Sequence, residues 1–388
     1  VEAVVSLEHH PVDGYTLSNL SDVLTPALAI YSGHVANNIE TTIALLGNNP
    51  ARWRPHLKTT KLGSVMRLLV AHGVEAVKCA TTLELSKACE AGFKDVLLAY
   101  PVAGNNARRV VEIALSFPQV SVSALVDSPL QVEQWAGSRV SVFLDVDPGM
   151  KRTGIPQIDL AQIVQLAQRI IESGIRFRGV HSYDGHLRDA DLEERTKKAH
   201  ACYDQVLNIV RALEAEQIPV EEVITTGTPT FPCALAYSGF AGASFIHRVS
   251  PGTLVFCDMD SKAALPSSFG YRFAALVLTR VVSATIPGRF SCDAGHKSVS
   301  ADAGVPTCAV LGRPGLVPAG PSEEHLPMAV SVGAVAPELG EILYLVPRHV
   351  CPTVNNFSRV LIIQDGAIAG VEVVGARGHD GPVWHKAV

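Results

Sequence analysis

The sequence predicts an α/β chain, a (β/α)8 TIM-type barrel joined to a C-terminal antiparallel β domain. Short β-branched runs alternate with amphipathic helical stretches from about residue 25 to residue 256. Most of those runs are continuously apolar, as parallel strands buried on both faces are. After about residue 258 the helical stripes stop, and short β-rich segments separated by Gly and Pro replace them. A chain of 388 residues, 47% hydrophobic and 18% charged, has the length and apolar content for two packed domains.

In chain order the β-type runs are Thr25–Tyr31, Arg54–Lys58, Ala76–Ala80, Asp95–Tyr100, Val122–Val126, Val140–Val146, Phe177–Tyr183, Glu222–Thr226 and Ile246–Val249. A barrel needs eight, so Thr25–Tyr31 is placed outside it. An open doubly wound sheet would take the ninth run. It would also carry a Gly-rich phosphate turn, and neither G-x-G-x-x-G nor G-x-x-x-x-G-K occurs. Between the runs, Leu160, Ile163, Val164, Ala167, Ile170 and Ile171 recur at helical spacing, and Gly174 supplies a stop. Tyr203, Val206, Leu207, Val210 and Leu213 make a second stripe. In the C-terminal part, strands are expected at Phe273–Val282, Ala329–Val335, Ile342–Val346, Val360–Gln364 and Ala369–Val374, with Gly304–Pro321 an extended loop.

Composition narrows the function. Thirty-two basic against 37 acidic residues give a formal net charge of −5, the wrong balance for a nucleic-acid partner. No apolar run approaches the ~20 residues that span a membrane. The first residues carry acids and Pro, unlike a signal peptide, so a cytoplasmic or organellar location is expected. The eight Cys form no C-x-x-C pair and are read as mostly buried thiols in a reducing compartment. The Asn-x-Ser triplets at Asn19 and Asn356 are of a kind that chance supplies often, and His9, His10 and His72 have no assigned partner.

Five groups of residues have the types that carry chemistry. Arg54-Pro55-His56-Leu57-Lys58-Thr59-Thr60-Lys61 sits where a strand gives way to a helix, the active-site end in a barrel. There, partial burial and the cations Arg54 and Lys61 would make Lys58 a Schiff-base amine. The same spacing also fits a solvated basic loop. Asp145-Val146-Asp147-Pro148-Gly149-Met150-Lys151-Arg152-Thr153-Gly154 is a Gly-containing turn in which Arg152 can reach a phenolate or carboxylate. In His181-Ser182-Tyr183-Asp184-Gly185-His186, Tyr183 can stack on a planar ligand and His186 can act as acid or base. An ordinary loop edge fits that segment equally well. Thr226-Gly227-Thr228-Pro229-Thr230 and Ser250-Pro251-Gly252-Thr253 end the last two strands, where barrels bind phosphate on backbone N–H groups and hydroxyls. His349-Val350-Cys351-Pro352-Thr353, read as extended, puts His349 and Cys351 on one face, a two-donor set for a divalent ion or a buried thiol beside a satisfied imidazole.

Together these segments resemble the D-threonine aldolase and D-serine dehydratase group of fold-type III pyridoxal-phosphate enzymes, related to alanine racemase. RPHLKTTK is similar to the group's R-P-H-x-K-T-x-K, and VDPGMKRTGI to its G-M-x-R-x-G; HVCPTVN is similar to its H-x-C or H-x-D metal motif. DAGHKSVSAD at 293–302 and SEEH at 322–325 add to the likeness, which spans nearly the whole chain. Thr60, where many members carry His, and the inserted Pro148 depart from it.

The resemblance implies an alanine racemase-like fold, with the barrel over 32–258 and the β domain over 1–31 and 259–388. It implies pyridoxal 5'-phosphate bound as a Schiff base to Lys58, with Arg152 on its phenolic oxygen and Tyr183 against its ring. Thr228, Gly252 and Thr253 would hold its phosphate, and His349 and Cys351 a divalent metal (Mn, Mg or Zn). His186 is the candidate proton relay. The implied activity is that of a carbon–carbon lyase, a D-threonine aldolase giving glycine and an aldehyde from D-β-hydroxy-α-amino acids. D-serine or D-3-hydroxyaspartate dehydratase is the alternative. YDGH and CPTVN point to the aldolase, and the Cys of the metal motif to the dehydratase. A homodimer is also implied.

Overall fold

The structure, a computed structural model, describes residues 14–18 and 20–382, so Asn19, His9 and His10 lie outside the described residues. The chain packs as two units. Among the described residues, one comprises Thr42–Lys58, Met66–Gly252 and 378–382; the other comprises 14–18, 20–41, Thr59–Val65 and Thr253–Arg377.

The first unit is built on a parallel sheet. Its strands follow one another in space as in sequence: Ala76–Cys79, Asp95–Leu98, Ser121–Val126, Ser141–Asp147, Phe177–Ser182, Glu222–Thr225 and Ile246–Val249. Ile155–Pro156 adds a short pairing beside Ser141–Asp147. Among the described residues these seven paired strands have no eighth of full length. The expected strand Arg54–Lys58 is reduced to two isolated parallel bridges, Trp53 with Val249 and His56 with Lys78. Pro55 is the physical reason, since it has no N–H to donate to a ladder. The segment still spans the two edge strands: Arg54 N–H donates to Val249 O at 2.9 Å, and Leu57 N–H to Lys78 O at 2.7 Å.

Helices cover the sheet where the sequence places apolar stripes. Leu160–Glu172 buries Ile163, Leu166, Ala167 and Ile170; Asp159 caps it by accepting from Gln162 N–H, and Gly174 ends the turn with φ +70°. Inside the sheet Leu97, Leu125, Phe143 and Ile224 form one buried cluster. Burying each such side chain contributes about 1.5–3 kcal/mol.

The second unit is a mostly antiparallel sheet ordered Leu316–Pro318, Leu326–Val330, Arg289–Cys292, Ala275–Ser283, Ala27–Tyr31, Arg359–Gln364 and Ala367–Val373; Ile342–Pro347 also pairs with Ala275–Ser283 and carries Cys308–Val310. The N-terminal run therefore lies in the C-terminal sheet, where Ala29 pairs in parallel with Leu361. Three expectations need correcting. The stretch 304–321 is no continuous loop, because Cys308–Val310 and Leu316–Pro318 pair within it. The strand expected at Ala329–Val335 lies earlier, at Leu326–Val330, since Arg289–Cys292 sets its register. His349–Thr353 is not extended: His349 precedes the helix Val350–Asn356, with Cys351 in its first turn. None of the eight cysteines forms a disulfide, and seven are buried. No helix among the described residues is long and apolar enough to cross a membrane.

Candidate active site

In the first unit the expected residues gather at the C-terminal ends of the parallel strands. Lys58 follows the bridging segment and is half-buried. The cations expected beside it are engaged elsewhere. Arg54 is fully buried and bonds Glu222 and Asp95, while Lys61 donates to the Ala376 carbonyl at 3.3 Å. Lys58 repels instead the buried amine of Lys78, on the edge strand that His56 bridges.

A cavity of about 290 Å³, counting space open to solvent, lies at this end of the sheet; Asp145, Arg152, His181 and Tyr183 are among its lining residues. The Arg152 guanidinium stands 5.2 Å from the centre of the Tyr183 ring. A Cβ on Gly185 would come within 2.3 Å of that ring, so only glycine lets the backbone pass this close. Asp184 ties the Tyr183 loop to the next one, accepting from Gly227 N–H at 3.0 Å, Thr230 Oγ1 at 2.7 Å and the Tyr203 hydroxyl at 2.9 Å. Burial raises the Asp184 carboxyl, and these donors oppose it. His186 is exposed, with Nε2 3.4 Å from where a Cβ on Gly149 would sit, and it is not among the cavity-lining residues. The inserted Pro148 also lines the cavity; beside it Asp147 Oδ1 accepts from Gly149 and Lys151 N–H.

Thr228 and Gly252 end adjacent strands. Thr228 is 7% exposed, and among the described residues nothing within the chain hydrogen-bonds its hydroxyl. A Cβ on Gly252 would meet His56 O at 2.3 Å, so this turn also admits only glycine. A strand-end hydroxyl with no partner among the described residues is available to an oxygen-rich group.

The second unit carries the other three candidates, Thr253, His349 and Cys351. His349 Nδ1 hydrogen-bonds Asp302 Oδ2 at 2.6 Å, and its ring also bonds the Cys351 side chain. Burial alone would lower the His349 imidazole, but Cys351, Asp258 and Asp302 outweigh it and push it up to about 9. Cys351 Sγ lies 3.0 Å from Thr59 Oγ1 and 3.7 Å from Thr253 Oγ1, so the Thr253 hydroxyl turns toward the thiol. Among the described residues no set of three or more His, Cys, Asp or Glu is arranged around a metal position. The chemistry of the pair still suits a borderline divalent ion whose shell is completed by water or substrate, and a carboxylate behind the imidazole is a common metal-site arrangement.

Lys78, Asp145 and His181 received no role from the sequence. The available signal was the intrusion of a charged or polar residue into continuously apolar strands, Ala76–Cys79, Ser141–Asp147 and Phe177–Ser182. His72, left without a partner by the sequence, bonds Leu68 O through Nδ1 at 2.8 Å.

The alanine racemase N-terminal domain family matches residues 30–259, more than half of the chain. The chain belongs to the alanine racemase-like, fold-type III pyridoxal-phosphate enzymes. A serine dehydratase domain family matches residues 274–363. Relatives of this enzyme family include a D-threonine aldolase from Arthrobacter sp., 27% identical over 92% of this chain and 94% of its own. They also include a D-threo-3-hydroxyaspartate dehydratase from Delftia sp. (strain HT23), 25% identical over 89% and 95%. Among solved structures, a D-threonine aldolase from Filomicrobium marinum superposes with a TM-score of 0.84 at 27% identity, covering 92% of this chain and 97% of that one.

Proposed function

We propose that this enzyme is a pyridoxal-phosphate- and divalent-metal-dependent D-threonine aldolase, cleaving D-β-hydroxy-α-amino acids reversibly to glycine and an aldehyde. The observation that carries the reading is the convergence of Lys58, Arg152, Tyr183, Thr228 and Gly252 at one end of the parallel sheet, in the order and spacing of the family motifs. The D-threonine aldolase relatives, in sequence and in structure, support the choice of reaction.

When bound, the cofactor supplies a sink for the electron pair released at the substrate Cα. The chain's residues supply the rest. Lys58 would hold the cofactor through its amine, and Arg152 would offset the charge of its phenolic oxygen. Tyr183, fixed against Gly185, keeps its ring plane in place. Thr228 and Gly252 would hold its phosphate, while the Thr253 hydroxyl is turned to Cys351. His349 and Cys351 would hold the divalent ion, with Asp302 orienting the imidazole. His186, exposed and outside the cavity lining, would relay the proton leaving the β-hydroxyl to solvent. In the aldolase reaction that hydroxyl loses its proton, the Cα–Cβ bond breaks and Cα is reprotonated.

One observation favours a second reading. A Cys, rather than Asp, follows His349 by two, as in dehydratases of the group, and the Delftia dehydratase is similar over most of its length. There Cα loses its proton, hydroxide leaves Cβ, and water hydrolyses the resulting imine to a 2-oxo acid and ammonia. The test is product analysis of the cofactor-loaded enzyme with D-threonine and D-serine, with and without chelator. Glycine and acetaldehyde from D-threonine, lost on chelation, are expected; ammonia and a 2-oxo acid would replace the aldolase with the dehydratase.

A further inference from the structure

One buried side chain of the parallel-sheet unit has no role in this scheme. Lys78 is 2% exposed, in a strand whose every residue is buried. Its Nζ lies 3.2 Å from His181 Nε2 and 5.3 Å from the centre of the Tyr183 ring. His181 Nδ1 lies 2.8 Å from Asp145 Oδ1, and Asp145 Oδ2 accepts the Thr153 hydroxyl at 2.7 Å. With Nδ1–H donated to Asp145, the His181 Nε2 lone pair accepts one N–H of Lys78 and fixes the direction of the amine.

An imidazole is the side-chain hydrogen-bond partner of Lys78 among the described residues, and no carboxylate pairs with it there. A buried ammonium without an ion pair is costly, and such groups are kept where they act on a ligand. The charged groups facing it are Lys58 and Arg54 on one side of the balance and Asp145 and Asp184 on the other. Burial first, and then Lys58, bring its amine down to about 7, against the pull of the two carboxylates. Arg152 reaches the same Tyr183 ring at 5.2 Å. Two cations brought to one ring repel unless an anion joins them.

We propose that Lys78 is a further binding residue of the cofactor pocket, sharing with Arg152 the anionic phenolic oxygen of the pyridoxal ring, while His181 and Asp145 hold its amine in place. This rests on the pyridoxal-phosphate reading above. In the free pocket the amine is partly neutral near pH 7. Arrival of the anion favours its charged form, so binding takes up a proton.

The test titrates the apoprotein and its Lys78→Met variant with pyridoxal phosphate and with the analogue lacking the 3-hydroxyl. Binding is followed calorimetrically in two buffers of different ionisation enthalpy. Loss of a charge-assisted hydrogen bond weakens pyridoxal phosphate roughly 10- to 100-fold in Lys78→Met. The 3-deoxy analogue is expected to bind both proteins alike, and only wild type with pyridoxal phosphate should show the extra proton uptake. Equal affinity of the two proteins for pyridoxal phosphate, or equal weakening of both ligands, overturns the proposal. If Lys78→Met does not fold, wild type alone decides, since identical proton uptake with both ligands overturns it equally. Borohydride reduction of wild type, followed by peptide mapping, separates the two levels. Absence of a pyridoxyl group on Lys58 removes the underlying cofactor reading; a labelled Lys58 with either overturning result removes only the role of Lys78.

Discussion

The two ends of the parallel sheet both bury charge, and they do it differently. At the N-terminal end Arg54, Arg178 and Arg248 meet Asp95 and Glu222. Arg54 bonds Glu222 at 2.7 Å and Asp95 at 2.6 Å, Arg178 bonds Asp95 at 2.9 Å, and Arg248 bonds Glu222. Burial alone would raise the Asp95 carboxyl, but Arg54 and Arg178 hold it well below the usual carboxylate range. At the C-terminal end Lys78 meets an imidazole, and Arg152 meets the face of an aromatic ring. The first cluster is closed, with cations matched to planar carboxylates in bidentate geometry. The second leaves Arg152 lining a cavity, with Lys78 buried beside the same Tyr183 ring. A closed network of this kind holds strands together; an open one is kept for a ligand, in keeping with the division of roles between the two faces of such barrels.

This contrast makes predictions that differ between the two ends. The largest effect is at Lys58: Lys58→Ala should abolish the borohydride-fixed pyridoxyl label while leaving the melting temperature of the apoprotein unchanged. A label retained on the variant, located by peptide mapping, would place the covalent attachment elsewhere. At the closed end, Glu222→Gln strips a carboxylate from three arginines, and breaking such a buried network costs about 3–5 kcal/mol. Denaturant unfolding should show that loss; a change under 1 kcal/mol would mean the cluster is not structural. Arg152→Ala should do the reverse, weakening pyridoxal phosphate about tenfold through loss of a charge-assisted bond, with the unfolding midpoint unmoved.

The smallest effect is a pH dependence. The Lys78 amine is lowered on folding, so the unfolded chain binds more protons between about pH 7 and its ordinary value. The cost is fully present below pH 7, and stability should rise with pH across that window. Lys78→Met should flatten that rise. Unfolding of the apoprotein measured from pH 6 to 10 checks it, and an identical slope in both proteins would show that Lys78 is not the buried cation responsible.

Much of the fold was legible because burial on both faces leaves a plain sequence signature. The strands at Asp95–Leu98, Ser121–Val126 and Ser141–Asp147 are apolar runs that no helical period explains. The site was legible only where a motif names a residue by its neighbours, as RPHLKTTK does for Lys58. The helix at Val350–Asn356 was not, because its Pro352 and β-branched residues suit an extended segment equally; Pro fits the first turn of a helix, where no N–H is needed. Arg54 was read as a neighbour of Lys58 because the two are close in sequence. A strand-like segment separates its ends by roughly 3.3 Å per residue, and that puts Arg54 at the opposite end of the sheet.

The sequence by itself determined the alternation of strands and helices, the change to β structure after residue 258, and the family motifs, since each is written in periods and spacings a few residues long. Tertiary structure alone decided which charges meet. Lys78, Asp145 and His181 stand on strands more than thirty residues apart in sequence, and nothing local specifies that one imidazole lies between an amine and a carboxylate. That meeting follows from the order of strands in the parallel sheet and the inward direction of alternate side chains.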